Sequence, residues 1–262
     1  MLYRTDYHIH TRYSDGGGWP EDYIYSASAA GLSEIGFSDH FTLTPEQQDW
    51  SIRPELLGEY CERILRLKEE SKSIIVRLGL EIDYFPGKEK EIFEISRDLP
   101  LDFIIGSVHY LDEEPVDAGP DFYKDKDIYD LFESYFILVG KTAATGLFDI
   151  IGHPDLVRIY RAGPVKSPAH LYLDLAKKFK KFNVAIELNT NGYNKPLGDF
   201  YPDKDYLHLF CEEGVPVCVN SDAHEPARVA QYFDQAYSLL IQVGYKEMAL
   251  FNNRTRSLKS IS

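Results

Sequence analysis

The sequence predicts an α/β fold in which parallel strands close into a barrel. Three observations lead there: seven short apolar runs along a chain of 262 residues, amphipathic helical stretches between most of them, and a chemically capable polar residue after nearly every run. Continuous apolar runs bounded by turns suit strands covered on both faces, and their alternation with helices implies βαβ crossovers. Ligand-type residues after nearly every strand point to a barrel whose site is built by the βα loops. The alternative, a doubly wound open sheet, would gather them at one switch point.

The first run, Tyr3–Tyr7, precedes His8. Glu34–Phe37 leads to Asp39 and His40, Ile74–Leu80 to Glu81, and Phe103–Val108 to His109. Phe148–Ile151 precedes His153, Val184–Leu188 precedes Asn189, and Val215–Val219 leads to Asp222 and His224. All are rich in β-branched or aromatic residues, as strands are. Glu55–Lys72 places Leu56, Tyr60, Ile64 and Leu67 on one stripe at helical spacing. Ile128–Thr142, Pro168–Lys181 and Ala227–Val243 read similarly, with Ser167 as a cap and Pro168 in the first turn of the middle one. No repeat, low-complexity tract or flexible linker divides the chain, so residues 1–262 are expected to form a single barrel domain.

Composition narrows the function. A hydrophobic fraction of 44% with 14% aromatics supplies a sizeable core. No stretch approaches the roughly 20 apolar residues of a membrane span, and MLYRTDYHIH lacks the basic and apolar regions of a leader. Cys61, Cys211 and Cys218 form no CxxC pair and read as reduced residues of a cytoplasmic protein, two of them in the core. A net charge of −14 speaks against long nucleic acid and anionic membranes. It does not speak against a small phosphorylated substrate if the site carries several dications, because local metal charge then decides what the pocket attracts.

Of eight histidines, His8, His10, His40, His109, His153 and His224 follow strand-like runs, whereas His170 and His208 fall in helical patterns and read as ordinary residues. One histidine after a strand is commonly structural; six in the same position, accompanied by Asp15, Glu81 and Asp222, make a metal centre the better reading. In His8-Ile9-His10 the i and i+2 side chains share a face, so both imidazoles can bind one ion. Asp222-Ala223-His224 repeats that spacing with a mixed pair. Glu81 offers two oxygens that can bridge two ions. Imidazole mixed with carboxylate suits Zn, Mn or Fe. Nine ligands exceed one ion's need, and two or three ions would stabilise the attacking and leaving oxygens of a phosphate ester. No GxSxG elbow, GxxxxGK[ST] loop or GxGxxG competes, and Gly16-Gly17-Gly18 reads as a flexible turn.

From Asp6 to about Asn253 the chain resembles the PHP (polymerase and histidinol phosphatase) superfamily. The resemblance rests on DYHIHTRYSDG, GFSDH, GLEIDY, GSVHYLD, GHPD, ELNTNG and NSDAH. GLEIDY, GSVHYLD and ELNTNG are most similar to the histidinol-phosphatase branch. It implies a distorted (β/α)7, TIM-like barrel with a trinuclear metal site at the C-terminal ends of the strands. It also implies hydrolysis of L-histidinol phosphate to L-histidinol and phosphate, in histidine biosynthesis, by a metal-bridging hydroxide. By motif, one ion takes His8, His10, Glu81 and Asp222; a second shares Glu81 with His109 and His153; a third takes Asp15, His40 and His224. Asp15 stands where many relatives have histidine. Glu81, Asp222 and His224 are the candidate catalytic groups, with the proton donor left open.

Phosphate esters usually meet arginine as well as metal, which singles out Arg158 and Arg161 after GHPD. The branch commonly has an arginine after ELNTNG, where this chain reads Tyr193-Asn194-Lys195-Pro196; Lys195 is the substitute. Asp117 and Tyr110, in and beside the loop Glu113–Gly119, are candidates for recognising imidazole and amine. Three rival readings remain: a phosphoesterase for another small ester or nucleotide, a metal-dependent amidohydrolase (which typically uses a bridging lysine where this chain offers Glu81), and a non-catalytic metal-binding module.

Overall fold

The computed structural model describes residues 3–44, 48–161 and 163–261; Met1 and Leu2, part of the leader reading, lie outside them. Seven parallel strands form the barrel: β1 (Thr5–Asp6), β2 (Glu34–Phe37), β3 (Ile75–Asp83), β4 (Phe103–Ser107), β5 (Ile150–Ile151), β6 (Ala185–Asn189) and β7 (Val217–Asn220). They neighbour one another in chain order, as right-handed βαβ repetition produces. The seam between β7 and β1 is closed by a parallel bridge of Ile9 with Ala223, in which His10 N donates to Ala223 O at 3.0 Å and Ala223 N to His8 O at 3.1 Å. All seven apolar runs form strands, and the barrel is nearly closed.

The barrel interior is small and aromatic. Tyr7, Phe103, Ile105, Ile150, Ala185 and Cys218 form a buried cluster. Phe103 fits because Gly36 and Gly79 face it: a Cβ on Gly79 would lie 2.4 Å from its ring, and one on Gly36 2.7 Å. Under the N-terminal mouth sits a hairpin that the sequence reading did not identify, β8 (Glu247–Asn252) with β9 (Thr255–Ser260). Its Ala249 and Phe251 plug the interior cluster. The other mouth is left for chemistry.

Outside lie the helices α1 (Pro20–Ala29), α2 (Leu57–Glu70), α3 (Glu89–Ser96), α4 (Ile128–Ala144), α5 (Ala169–Phe182), α6 (Leu207–Glu212) and α7 (Phe233–Val243). The stripe on α2 holds: Tyr60, Ile64 and Leu67 are buried, with Leu56 partly so in a preceding 3-10 turn. Ser167 Oγ accepts from Ala169 N at 3.4 Å as α5 begins. The stretch Ala227–Val243 is not one helix. A 3-10 turn at Pro226–Arg228 precedes α7, and Ala230 and Tyr232 between them take positive φ, which interrupts helical hydrogen bonding. Cys61 and Cys218 are buried and all three cysteines are free. Among the described residues no helix is long and apolar enough to cross a membrane.

Candidate metal centre

Register brings the ligand-type side chains to one end of the barrel. β3 runs on past its apolar run, so Glu81 lies within the strand, opposite Ile105 of β4 on one side and His40 of a two-residue bridge strand on the other. Glu81 is 1% exposed and central. Its Oε2 lies 2.6 Å from His40 Nδ1, 3.2 Å from His8 Nε2 and 3.6 Å from His10 Nε2. Its Oε1 lies 3.0 Å from His153 Nε2 and 3.8 Å from His109 Nε2, and accepts from Ser107 Oγ at 2.5 Å. Asp222 Oδ1 reaches His10 Nε2 at 3.3 Å and His224 Nδ1 at 3.5 Å, and Asp15 Oδ2 reaches His224 Nε2 at 3.4 Å. All nine residues singled out from sequence meet here; His170 and His208 are exposed and elsewhere.

Among the described residues, four groups of donors lie close enough to hold ions: His8, Glu81 and His153; His8, His10 and Asp222; His40, Glu81 and His109; and His10, Asp15, His40 and His224. This grouping differs from the motif-implied sets in two respects. His153 pairs with His8 across Glu81, and His8, His10 and His40 each belong to two groups. Metal fits the donors. His8 Nε2 and His10 Nε2 are buried without a hydrogen-bond partner, a costly condition that coordination would relieve.

The electrostatics agree. Burial, with the positive character of His40 and His224, pushes His10 down to about 3, so it is neutral and ready to ligate. Burial opposes charge on His8, yet Glu187, Glu81 and Asp222 hold its pKa well above the ordinary value. His109 rises to about 10 against burial because Asp83 lies beside it, and His224 to about 9 beside Asp15 and Asp222. Glu81 and Asp222 are held far below the usual carboxylate range by these imidazoles, against burial. Protons here occupy places that dications would take.

Around the nine lies a ring of buried acids that the sequence reading left out of the metal-ligand set. Asp83 Oδ1 meets His109 Nδ1 at 2.5 Å, and Glu187 Oε1 meets His8 Nδ1 at 2.7 Å. Asp39 accepts from Thr11 N and Ser14 Oγ, both at 2.7 Å, and so fixes the loop carrying Asp15. Asp6 accepts from Ser221 N at 2.9 Å and Ser221 Oγ at 2.5 Å, holding the turn where Asp222 takes φ 49°. Burial lifts both Asp6 and Asp39 to about 6. Such outer partners orient metal ligands. For Asp6 and Asp39 the signal was an acid one or two residues before a ligand-type histidine, in DYHIH and GFSDH.

A cavity of about 520 Å³ opens above the centre, lined by His40, His109, His153, Asp222, His224 and Asp15, with Trp50, Tyr110, Asp117, Asn191 and Lys195. Lys195, Tyr110 and Asp117 therefore face the cavity above the centre. The two arginines do not. Arg158 turns away within a 3-10 turn (Leu156–Arg158), into Asp155 at 3.0 Å, Asp203 at 3.1 Å and Phe200 O at 3.2 Å. Arg161 is exposed and donates to Pro196 O at 2.5 Å. Asn194, at the position of the missing arginine, donates to Asn191 Oδ1 at 3.0 Å and Gln231 Oε1 at 2.8 Å.

The PHP domain model matches residues 6–191. A probable histidinol-phosphatase of Deinococcus radiodurans is 35% identical over 91% of this chain and 93% of its own length. A histidinol-phosphatase of Lactococcus lactis is 27% identical over 95% and 94%. The crystal structure of the Lactococcus lactis histidinol phosphate phosphatase, complexed with zinc, L-histidinol and phosphate, superposes with a TM-score of 0.85 at 26% identity, covering 98% of this chain and all of that one.

Proposed function

The chain belongs to the PHP domain family, and on that footing we propose that it is a metal-dependent phosphatase that hydrolyses histidinol phosphate in histidine biosynthesis. The observation that carries this is the convergence of nine imidazoles and carboxylates under one cavity. The likeness to histidinol-phosphatases along nearly the whole chain adds to it. His8, His10, Asp15, His40, Glu81, His109, His153, Asp222 and His224 would hold two or three ions of Zn, Mn or Fe. When bound, such ions polarise the phosphoryl oxygens and generate hydroxide near neutral pH.

The protein's own groups do the remaining work. Glu81 and Asp222 balance charge in a site that excludes water below the cavity floor. His224, its side chain 30% exposed, lines the cavity wall where the ester would meet the ions. Lys195 and Asn191 supply donors for phosphate oxygens, the role withdrawn from Arg158 and Arg161. Above them, Trp50 and Tyr110 offer ring faces for an imidazole and Asp117 a charge for an ammonium. Residues 1–262 would act as a single catalytic domain in the cytoplasm, with a small ester as substrate. The lack of an arginine near Asn194 favours one other reading: a phosphatase for a different small ester or nucleotide.

Phosphate release from histidinol phosphate, nucleoside monophosphates, sugar phosphates and p-nitrophenyl phosphate, with Mn, Zn or Fe added, tests this. Histidinol phosphate is expected to lead in kcat/KM by at least about tenfold, equal to about 1.4 kcal/mol of transition-state preference. Equal rates on all esters would leave only a general phosphoesterase, and no turnover at all would favour the non-catalytic module.

A further inference from the structure

Glu187 is fully buried in the middle of β6 and belongs to none of the metal-holding groups, yet four donors converge on it. Its Oε1 takes His8 Nδ1 at 2.7 Å and Asn220 Nδ2 at 2.8 Å. Its Oε2 takes the backbone N of His153 at 2.7 Å and Asn189 Nδ2 at 3.0 Å. Asn189 Nδ2 is also 3.2 Å from Asp222 Oδ2. One carboxylate thus touches His8 and His153 directly and Asp222 through a single amide. Those residues belong to two of the four donor groups, both containing His8. The two groups built on His40 have no contact with Glu187; the one containing His109 is braced by Asp83 instead.

A carboxylate accepting from Nδ1 fixes both the ring angle and the tautomer, leaving Nε2 free as the ligand atom. His8 Nε2 is turned to Glu81 at 3.2 Å and Asp222 at 3.9 Å and has no hydrogen bond of its own. Meanwhile the bond to His153 N anchors the backbone where it takes a positive φ of 20° after Gly152. A Cβ on Gly152 would press to 2.6 Å of Ser107 Oγ, so this loop has little room to shift. We propose that Glu187 is a positioning residue that locks His8 and His153 together, so that the two donor groups sharing His8 form and fail as a unit. Asp83, by contrast, serves His109 alone. The proposal rests on the metal-centre reading above.

The test is metal binding, measured without substrate. Zn is titrated into wild type, Glu187→Gln and Asp83→Asn against a competing chelator, with bound metal per chain counted by elemental analysis. Glu187→Gln should lower affinity by about 10- to 100-fold, and at limiting free Zn should lose more metal per chain than Asp83→Asn. Wild-type retention in Glu187→Gln, or equal losses in the two variants, overturns the coupling. A wild type that binds no metal overturns instead the reading on which it rests. Because a misfolded Glu187→Gln would be mute, nitrogen-15 spectra of the Zn-loaded wild type give the second arm. His8 should carry its proton on Nδ1, and a proton on Nε2 would remove the role assigned to Glu187.

Discussion

Replacing Arg158 by alanine separates a phosphate grip from a structural strut. Its side chain is 11% exposed, and the guanidinium pairs with Asp155, which is fully buried, and with Asp203. Truncation strands the Asp155 carboxylate, which keeps only Tyr172 OH at 2.6 Å and Asp203 N at 2.8 Å as donors. Removing one partner of a buried pair costs about 3–5 kcal/mol, and the two surviving donors place this case near the lower end. At about 2–4 °C per kcal/mol for a chain of this size, Tm should fall by roughly 6–12 °C. The assay pairs thermal and urea unfolding of metal-loaded protein with kcat/KM on a phosphate monoester well below the transition. Turnover of the folded fraction should stay within about threefold of wild type. An unchanged Tm together with a ten- to hundredfold fall in kcat/KM would show that Arg158 does reach phosphate, and the structural reasoning would be refuted.

Glu81→Ala should abolish activity and remove more than one ion per chain by elemental analysis, since its two oxygens face different histidines; loss of one ion or none contradicts a shared ligand. Metal affinity should rise with pH. His109 and His224 are held above the ordinary histidine value, so from about 6.5 up to about 9 for His224 and about 10 for His109 the metal-free fold keeps protons that the unfolded chain has lost. This proton-linked stability is complete below the lower value and lost as pH rises through the upper, and metal must displace these protons. Calorimetry in buffers of different ionisation enthalpy should record proton release on binding, and none would contradict the assignment. Lys195→Ala should lower kcat/KM about tenfold alike for all monoesters, whereas Asp117→Asn should slow histidinol phosphate and spare p-nitrophenyl phosphate. The opposite pattern would exchange their roles.

The barrel was legible because its strands are buried on both faces and so read as unbroken apolar runs. Nearly every one ended in a ligand-type residue, which is why His8, His109 and His153 come to the same end of the barrel. Less could be read where tertiary contacts outweigh local pattern. α1 carries the mixed segment PEDYIYSASA, and the β8–β9 hairpin has a largely exposed second strand; neither shows a clean period. Arg158 looked like a phosphate ligand because it follows GHPD, but the turn after Asp155 folds its side chain back on Asp155. Asp83 and Glu187 gave little sign of their roles, since a brace is defined by its partner across the barrel: Glu187 meets His8 over a separation of 179 residues.

The central claim is that these nine side chains form one metal centre beneath one cavity. Anomalous diffraction from crystals of the Zn-loaded protein, collected across the zinc absorption edge, measures it most directly. Two or three peaks are expected, enclosed by His8, His10, Glu81, His109, His153 and Asp222 on one side and Asp15, His40 and His224 on the other. Peaks only at the surface, or none within this cluster, would contradict it.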